Sequence, residues 1–370
     1  MILKVKELQD ACKCILEAVD TTTNLVLNET LELEAKDGVL NLSVTNGEYF
    51  VTIKLNMETN DNFIATVNAK LFLSLIAKIT TNDVEITCDN NILYVKANGS
   101  YKLPMIFDND KLLKLNPIVI NNVTNTFNIP SSVLLSILNF NSKQMLTGSV
   151  SRPVQKLYYV DEKGCITFTS GATVNTFSLA QPVRLLLNEK LVKLFKLFAK
   201  SDDVSFSLGY DEVGANLQQK IKLETPSISV SSILVSDNSM LKSVPVEAVR
   251  GRANNTYPFS VNINKNELNE AIDRLLIFSN SGNVSSFCVR FKFSETSVAL
   301  SSLDNKNEES IKYINSSLNS QYETLMNIKE IKTIIDNCQE QDLLLEFGNQ
   351  EAVVIARGNV KNVIPEVHTA

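Results

Sequence analysis

The chain has 370 residues, a formal net charge of -6 and a sequence pI near 5.2. A single hydrophobic core stops growing at roughly 250–300 residues, so this length predicts two or three domains. The composition, 44% hydrophobic and 21% charged, excludes a disordered chain. The acidic balance argues against a protein that coats nucleic acid indiscriminately, although it leaves room for a local basic surface.

The sequence lacks the motifs of common catalytic sites. His368 is the only histidine, and the chain has no phosphate-binding loop, nucleophile elbow or zinc-binding motif. We therefore expect no enzymatic activity, no catalytic residue, no cofactor and no metal site.

The cysteines and the apolar segments indicate the compartment. The six cysteines form no CxxC pair and no disulfide ladder, which is typical of reduced thiols. No apolar stretch approaches the roughly 20 residues that span a bilayer. These patterns predict a cytoplasmic protein that does not bind a membrane.

The first third of the chain predicts strands and two helices. Residues 4–19 predict a short strand and a helix, and Asp37 with Gly38, between alternating segments, predicts a β-hairpin. Asn68 is predicted to cap a second helix, and a strand is predicted from Asp83.

The middle third repeats this order. Residues 127–141 predict a strand and a helix, and Lys163 with Gly164 predicts a hairpin turn. Asn188 is predicted to cap the second helix, and Asp203 begins the next strand.

The last third follows a polar stretch, residues 250–258, that is predicted to be a linker. Residues 259–278 predict a strand and a helix, and residues 287–293 and 298–300 predict paired strands. Asn327 is predicted to cap the second helix, with a strand from Asp342.

The spacing of these landmarks identifies an internal repeat. The three capping asparagines are 120 and 139 residues apart, and the three aspartates keep the same intervals. Each third is predicted to pack two helices on a mainly antiparallel sheet, which gives an α+β fold with three domains at 1–122, 123–250 and 251–370.

The second helix of the middle third, residues 188–200, carries a basic stripe opposite an apolar one. At 100° per residue, four lysines fall within an arc of about 120°. These are Lys190, Lys193, Lys196 and Lys200. The other predicted helices add Lys13, Lys70, Lys78, Lys329 and Lys332, diluted by Glu17, Glu270, Asp273 and Asp336. Because no aromatic residue interleaves with the lysines, base stacking on single strands is not indicated, and the stripe fits sequence-independent contact with phosphates. A solvated helix face is the alternative interpretation.

The ordered repeat, the lysine-bearing second helices, residues 168–172 (FTSGA) and residues 277–280 (IFSN) resemble the bacterial-type DNA sliding clamp, the β subunit of DNA polymerase III. The resemblance covers essentially the whole chain. It implies the DNA clamp fold, in which two chains close head to tail into a ring around duplex DNA. It also implies a processivity factor that tethers the replicative DNA polymerase and binds the clamp loader.

The resemblance also implies two protein-binding sites. A hydrophobic pocket for partner peptides would lie where the second and third domains meet, formed by Val154, Thr169, Gly171, Ala172, Val174, Met240, Leu241, Val363, Ile364 and Pro365. The dimer interface would join Ile106 and Phe107 of one chain to Ile277 and Phe278 of the other. The chain departs from the family at Ala172, where a basic residue or histidine is usual, and at Glu366, which adds a charge beside the pocket.

Two hypotheses from other classes stay open. The first is a structural or interaction protein that is built from a repeated α+β domain and never touches DNA. Changes of Lys193, Lys196 and Lys200 to glutamate would then leave its function intact. The second is an enzyme that relies on a pair of carboxylates in a cleft.

Overall fold

The structure, a computed structural model, describes residues 1–20, 25–59, 61–140, 153–168, 171–214, 216–235, 238–278, 287–303 and 306–367. Within these residues the order β-α-β-β-β-β-α-β-β-β recurs three times, with short additional elements between repeats. The predicted α+β class is confirmed. Each repeat has more strands than the sequence predicted, four between its helices and three after the second helix.

The first repeat extends to residue 104 and is followed by a small strand pair. Its elements, with a 3₁₀ helix at Val26–Glu29, are β1 (Ile2–Lys4), α1 (Val5–Leu16), β2 (Thr30–Lys36), β3 (Val39–Thr45), β4 (Tyr49–Asn56), β5 (Phe63–Asn68), α2 (Ala69–Ile76), β6 (Asp83–Asp89), β7 (Ile92–Lys96) and β8 (Ser100–Pro104). The strand pair is β9 (Phe107–Asp108) and β10 (Lys111–Leu112).

The second repeat includes 3₁₀ helices at Pro153–Lys156 and Leu194–Phe198, and two further helices follow it. Its elements are β11 (Val123–Pro130), α3 (Ser131–Asn139), β12 (Tyr158–Asp161), β13 (Gly164–Phe168), β14 (Ala172–Thr176), β15 (Arg184–Leu187), α4 (Glu189–Lys193), β16 (Asp203–Val213), β17 (Asn216–Glu224) and β18 (Ile228–Ile233). The two further helices are α5 (Asn238–Ser243) and α6 (Val246–Ala253).

The third repeat runs nearly to the end of the chain. Its elements are β19 (Phe259–Asn264), α7 (Lys265–Phe278), β20 (Cys288–Phe293), β21 (Ser297–Ser302), β22 (Glu308–Ser316), β23 (Tyr322–Asn327), α8 (Ile328–Asp336), β24 (Asp342–Phe347), β25 (Ala352–Arg357) and β26 (Val360–Pro365).

The described residues cluster into two compact units, each of which combines strands from two repeats. Unit 1 comprises Met1–Leu135 and Lys190–Ser236, and unit 2 comprises Ser136–Glu189 and Asp237–Ala370. In unit 1, eight strands pair in the order β11-β16-β17-β18-β4-β3-β2-β5, and four pair in the order β1-β6-β7-β8. In unit 2, twelve strands pair in the order β15-β12-β13-β14-β26-β25-β24-β19-β22-β21-β20-β23. The division into three domains stays a prediction.

The helices of the first and third repeats bury one face each, as amphipathic helices on a sheet must. Leu8 of α1 and Phe72 of α2 are fully buried in unit 1. Leu268 of α7 and Ile331 of α8 are buried in unit 2. The opposite helix faces are exposed and carry most of the charged residues, with Glu330 of α8 as a buried exception.

Local sequence signals explain where several elements begin. The side chains of Asn68 and Asn327 accept hydrogen bonds from backbone N–H groups of α2 and α8, so two of the three predicted N-caps are confirmed. Asp37 and Gly38 have positive φ angles of 50° and 77° between β2 and β3, as a tight hairpin turn requires. The hairpin predicted at Gly164 also forms, between β12 and β13.

The predicted lysine helix of the middle repeat is not one continuous α-helix. It begins after Asn188 as α4 and tightens into the 3₁₀ helix at Leu194–Phe198. Leu194 and Phe195, and then Leu197 and Phe198, are all buried, so the segment buries more than one narrow stripe. A 3₁₀ helix has three residues per turn, which aligns side chains three positions apart.

The prediction of a linker at residues 250–258 is wrong for its first four residues, because residues 246–253 form α6. Val249 and Ala253 of this helix are buried. The Arg250 guanidinium makes two hydrogen bonds of 2.7 Å and 2.6 Å to the Asp161 carboxylate on β12. This bidentate pair fixes the helix on the sheet of unit 2.

The six cysteines are all free thiols. Burial raises the pKa of Cys12 to about 12, so this thiol stays protonated at neutral pH. Among the described residues, none of the helices has the length and apolar character to cross a membrane. The same residues contain no group of three or more potential ligand side chains placed to hold a metal ion.

Candidate functional site

The outer faces of α1 and α2 form one surface of unit 1. The Gln9 amide of α1 donates hydrogen bonds to the carbonyl oxygens of Ile76 and Ile79, at 3.0 Å and 2.9 Å, which fixes α1 against the end of α2. A groove of about 300 Å³ between these helices has Lys13 on one wall and Lys70 on the other. Two of the predicted DNA-binding lysines therefore lie on one surface.

The lysines of the middle repeat extend this surface within unit 1. Lys190, Lys193, Lys196 and Lys200 are all exposed. Lys200 is close enough to Cys14 of α1 to act on its pKa, which burial raises and the lysine charge lowers. The lysine segment and α1 are therefore neighbours, and their cations share one side of the unit.

Two of these lysines are paired with carboxylates at the end of α1. The Lys190 ammonium lies 2.7 Å from a carboxylate oxygen of Asp20, and Lys196 pairs with Glu17. The hydrogen bond to Asp20 raises the pKa of Lys190, because it favours the charged ammonium. The positive charges of these two predicted DNA-binding lysines are thus partly neutralised by carboxylates of the same chain.

Four other predicted DNA-binding lysines of unit 1 are less engaged by carboxylates. Lys13 lies 3.4 Å from Asp10 on the same helix. Lys70, Lys78 and Lys200 are exposed and form no ion pair within the described residues.

In unit 2 the predicted lysines of α8 also have partners. The Lys332 ammonium lies 3.0 Å from Asp273 of α7 and 2.9 Å from Asp336 of its own helix. The Lys329 ammonium lies 3.4 Å from the centroid of the Phe287 ring, which is a cation–π contact. Of the two, Lys329 is the more exposed.

Two strands bring together half of the residues of the predicted peptide pocket. β14 pairs with β26 so that Ala172 lies opposite Val363 and Val174 lies opposite Lys361. Ala172, Val174, Val363 and Ile364 are all buried, and Pro365 is exposed. The buried residues can form only the floor of a pocket.

Gly171, just before β14, has no room for a side chain. A Cβ atom there would lie 2.0 Å from the carbonyl oxygen of Val363 on β26. Its backbone N–H donates a hydrogen bond of 2.9 Å to the carboxylate of Glu330, a buried residue of α8. The backbone at the predicted pocket is therefore held from two sides. Thr169 lies outside the described residues.

The other predicted pocket residues lie on short helices of unit 2. Val154 is buried in the 3₁₀ helix at Pro153–Lys156, which packs against α5. Met240 and Leu241 of α5 are half-buried. Leu241 also borders a polar cavity of about 460 Å³ whose lining includes the Arg250–Asp161 pair.

Two hydroxyl groups donate hydrogen bonds to the Glu366 carboxylate. The carboxylate accepts hydrogen bonds from Tyr322 at 2.8 Å and from Thr324 at 2.8 Å, both on β23. Burial, and after it this hydrogen bond, raises the pKa of the Tyr322 phenol. The side chain that was expected to charge the pocket is thus bound to the neighbouring strand.

The residues predicted for the dimer interface are on the surface of their own units. In unit 1, Phe107 on β9 is 38% exposed and Ile106 is half-buried. In unit 2, Ile277 and Phe278 at the end of α7 are 69% and 60% exposed. These side chains are therefore accessible to a second chain, as a place in a dimer interface requires.

Comparison with known proteins identifies the fold. Residues 2–111 match the family model described as DNA polymerase III beta subunit, N-terminal domain. The DNA polymerase III subunit beta of Pseudomonas aeruginosa matches at a TM-score of 0.81 with 15% identity, over 100% of both chains. The chain has the fold of the bacterial DNA sliding clamp. The resemblance seen in the sequence is thereby confirmed.

Two further solved structures match this clamp fold. The sliding clamp of Bacillus subtilis matches at a TM-score of 0.76 with 15% identity, over 100% of this chain and 99% of that one. The DNA polymerase III subunit beta of Borrelia burgdorferi, in complex with a natural product, matches at 0.76 with 12% identity over the same shares. No curated protein sequence matches the chain.

Sequence reasoning missed the acidic partners that the clamp fold brings to the lysines and to the pocket. In the sequence, Glu17 only dilutes the basic face, and no pattern pairs Asp20 with a lysine or Glu330 with the pocket. The only signal for Glu330 is its position three residues after Asn327, which predicts a local capping role.

Proposed function

We propose that this chain is a DNA polymerase processivity factor, a sliding clamp that encircles duplex DNA and does not catalyse a reaction. The observation that carries the proposal is the lysine surface of unit 1, which lies on exposed helix faces of an acidic protein with the clamp fold. Lysines of α1, α2 and residues 190–200 share it. Such cations attract phosphates without reading bases, as sliding requires.

The proposal includes a ring of two chains, each with domains at 1–122, 123–250 and 251–370. Twofold closure of a head-to-tail ring makes two equal junctions. The exposure of Phe107, Ile277 and Phe278 supports their place at these junctions.

The proposed partners are the replicative DNA polymerase and the clamp loader, which would bind in the cytoplasm through peptides with apolar anchors. The paired strands β14 and β26, with Met240, Leu241 and Pro365 at the accessible margin, support a pocket there. Apolar pockets of this kind accept leucine and phenylalanine side chains.

Retention on DNA tests encirclement directly. Linear plasmid, whose free ends admit a closed ring, is mixed with the protein and then circularised by ligation. The protein is crosslinked with a bifunctional reagent and washed at high salt, which removes electrostatic contacts. A topological ring stays on the circle and leaves when the plasmid is cut once. Loss in the salt wash, or equal retention on circular and cut DNA, contradicts the proposal.

The same assay separates the clamp from a repeat protein that never touches DNA. Lys193 and Lys200 are changed together to glutamate, and Lys36 and Lys111, exposed elsewhere in unit 1, are changed together as a matched control. We expect weaker DNA binding before crosslinking only for the first pair. Equal binding by both variants and the wild type favours the interaction protein.

A further inference from the structure

Two carboxylates at the end of α1 differ in how firmly they hold lysines of the DNA-facing stripe. Asp20 and Lys190 are 2.7 Å apart, and Glu17 pairs with Lys196. Each pair joins positions that are at least 170 residues apart in the chain. Both pairs remove positive charge from the segment that the sequence predicted to contact DNA.

The Asp20 pair is a structural contact. The Asp20 side chain is 4% exposed and also accepts a hydrogen bond of 3.1 Å from the Asn46 amide. Removing Lys190 from Asp20 would leave a buried carboxylate without its cation, which is strongly unfavourable. A phosphate in solvent cannot compensate for that loss, so Lys190 stays with Asp20.

The Glu17 pair lies in solvent. The side chains of Lys196 and Glu17 are 42% and 47% exposed. Exposed ion pairs are weak, because water screens the attraction and two long side chains lose freedom. A DNA phosphate, which carries a full negative charge, can therefore displace Glu17 from Lys196.

From this difference we propose that Glu17 sets the DNA affinity of the lysine surface by competing with phosphates for Lys196, whereas Asp20 removes Lys190 from DNA contact altogether. The proposal rests on the DNA binding proposed above. Glu17 thus lowers the affinity for DNA without affecting which DNA sequence is bound. Weak individual contacts favour sliding over fixed binding.

The test measures binding to a fluorescein-labelled DNA duplex by anisotropy, with the full-length protein over a series of NaCl concentrations. Each neutralised phosphate contributes about -0.9 to the slope of log K against log salt. Glu17→Gln should steepen this slope by up to about 0.9 units, because Lys196 becomes available. It should also tighten binding at low salt by about two- to fivefold, the strength typical of an exposed ion pair.

Two control variants separate this effect from net charge. Glu7→Gln makes the same charge change on an exposed position of α1 and should leave both quantities unchanged. Glu17→Gln in a Lys196→Gln background should give no gain, since the lysine it would release is missing. An equal gain from Glu7→Gln, or a gain that persists without Lys196, overturns the proposal.

The two proposals fail differently. Wild-type binding with an unchanged slope in Glu17→Gln overturns only the role of Glu17. If neither protein binds the duplex at low salt, DNA binding itself is wrong and the role of Glu17 falls with it. Thermal melting of both variants, expected to match the wild type, shows that the exposed change leaves the fold intact.

Discussion

The Glu330 carboxylate accepts a hydrogen bond from the backbone N–H of Gly171 at 2.9 Å, although 159 positions of the chain separate the two residues. Glu330 is the third residue of α8 and is 8% exposed. Gly171 immediately precedes β14 in the predicted peptide pocket. A buried carboxylate of one helix therefore holds the backbone of a strand pair in unit 2.

This contact connects two surfaces that the sequence treats separately. α8 also carries Lys329 and Lys332, which are predicted to face DNA. One hydrogen bond therefore joins the strand pair of the predicted peptide pocket to a helix that is predicted to face DNA.

Replacing Glu330 should weaken peptide binding without removing any residue that contacts the peptide. A hydrogen bond to a charged group contributes about 1.5–3 kcal/mol, and its loss leaves the Gly171 N–H without this acceptor. We expect Glu330→Ala to reduce affinity about tenfold for a labelled peptide with leucine and phenylalanine anchors, measured by fluorescence polarisation. Glu330→Gln keeps an acceptor oxygen and should retain most of the affinity.

Glu340→Ala provides the control, because Glu340 is exposed and follows the same helix. Its peptide affinity should equal that of the wild type. If Glu330→Ala and Glu340→Ala bind the peptide equally well, Glu330 has no positioning role.

A side chain at Gly171 should separate β14 from β26. The Cβ of Gly171→Ala would lie 2.0 Å from the carbonyl oxygen of Val363, a backbone atom that can move only with its strand. We expect a loss of about 1–3 kcal/mol in the free energy of unfolding, measured by urea denaturation. Gly251→Ala is the control, since its Cβ meets nothing within 4 Å and α6 favours alanine by about 0.5–1 kcal/mol. Equal stability of the two variants would show that β14 and β26 can move apart without loss of stability.

The elements that the sequence predicts well depend on neighbouring residues. Asn68 and Asn327 cap helices through N–H groups two or three positions ahead, and Asp37 with Gly38 closes a hairpin between adjacent strands. Because the same signals recur at fixed spacing, they predict the same order of elements in each third of the chain. The fold class therefore follows from the sequence, and the clamp fold from its resemblance.

The side-chain pairs of the site depend on residues far apart in the chain. Asp20 meets Lys190 across 170 positions, and Asp161 meets Arg250 across 89. Spacing within a helix does not indicate such partners, so the sequence alone does not distinguish the lysines that have acidic neighbours from those that do not. The predicted linker likewise contains a helix, α6, whose Arg250 pairs with Asp161, a residue 89 positions away that the local pattern does not reveal.

Stability should fall in acid through Asp211, which ties the chain between β10 and β11 to the sheet. Its carboxylate lies 2.7 Å from the Lys220 ammonium and accepts N–H groups of Asn121 and Asn122. The hydrogen bond from Lys220 lowers the pKa of Asp211 below its usual range. A lowered folded-state pKa contributes stability above the unfolded value of about 3.9, and this is lost as pH falls through the folded value.

Urea denaturation at neutral pH and at decreasing acid pH measures this contribution. Asp211→Asn should be less stable than the wild type at neutral pH, and the difference should shrink as the pH falls below about 4. Asp203→Asn, at an exposed position on the same strand, should follow the wild type throughout. A constant difference for Asp211→Asn across the range would exclude a role for its charge.

Charges at the end of α7 should prevent two chains from associating. Ile277 and Phe278 are 69% and 60% exposed, and burying them between chains would stabilise a dimer by about 25 cal/mol for each Å² of apolar area. Changing both to aspartate would bury two carboxylates without partners, so we expect a monomer in sedimentation velocity and loss of retention on circular DNA. Val213 and Leu217, 53% and 55% exposed on the β16–β17 hairpin, form the matched control, and their aspartate variant should sediment with the wild type. A dimer that survives the α7 changes would place the interface elsewhere.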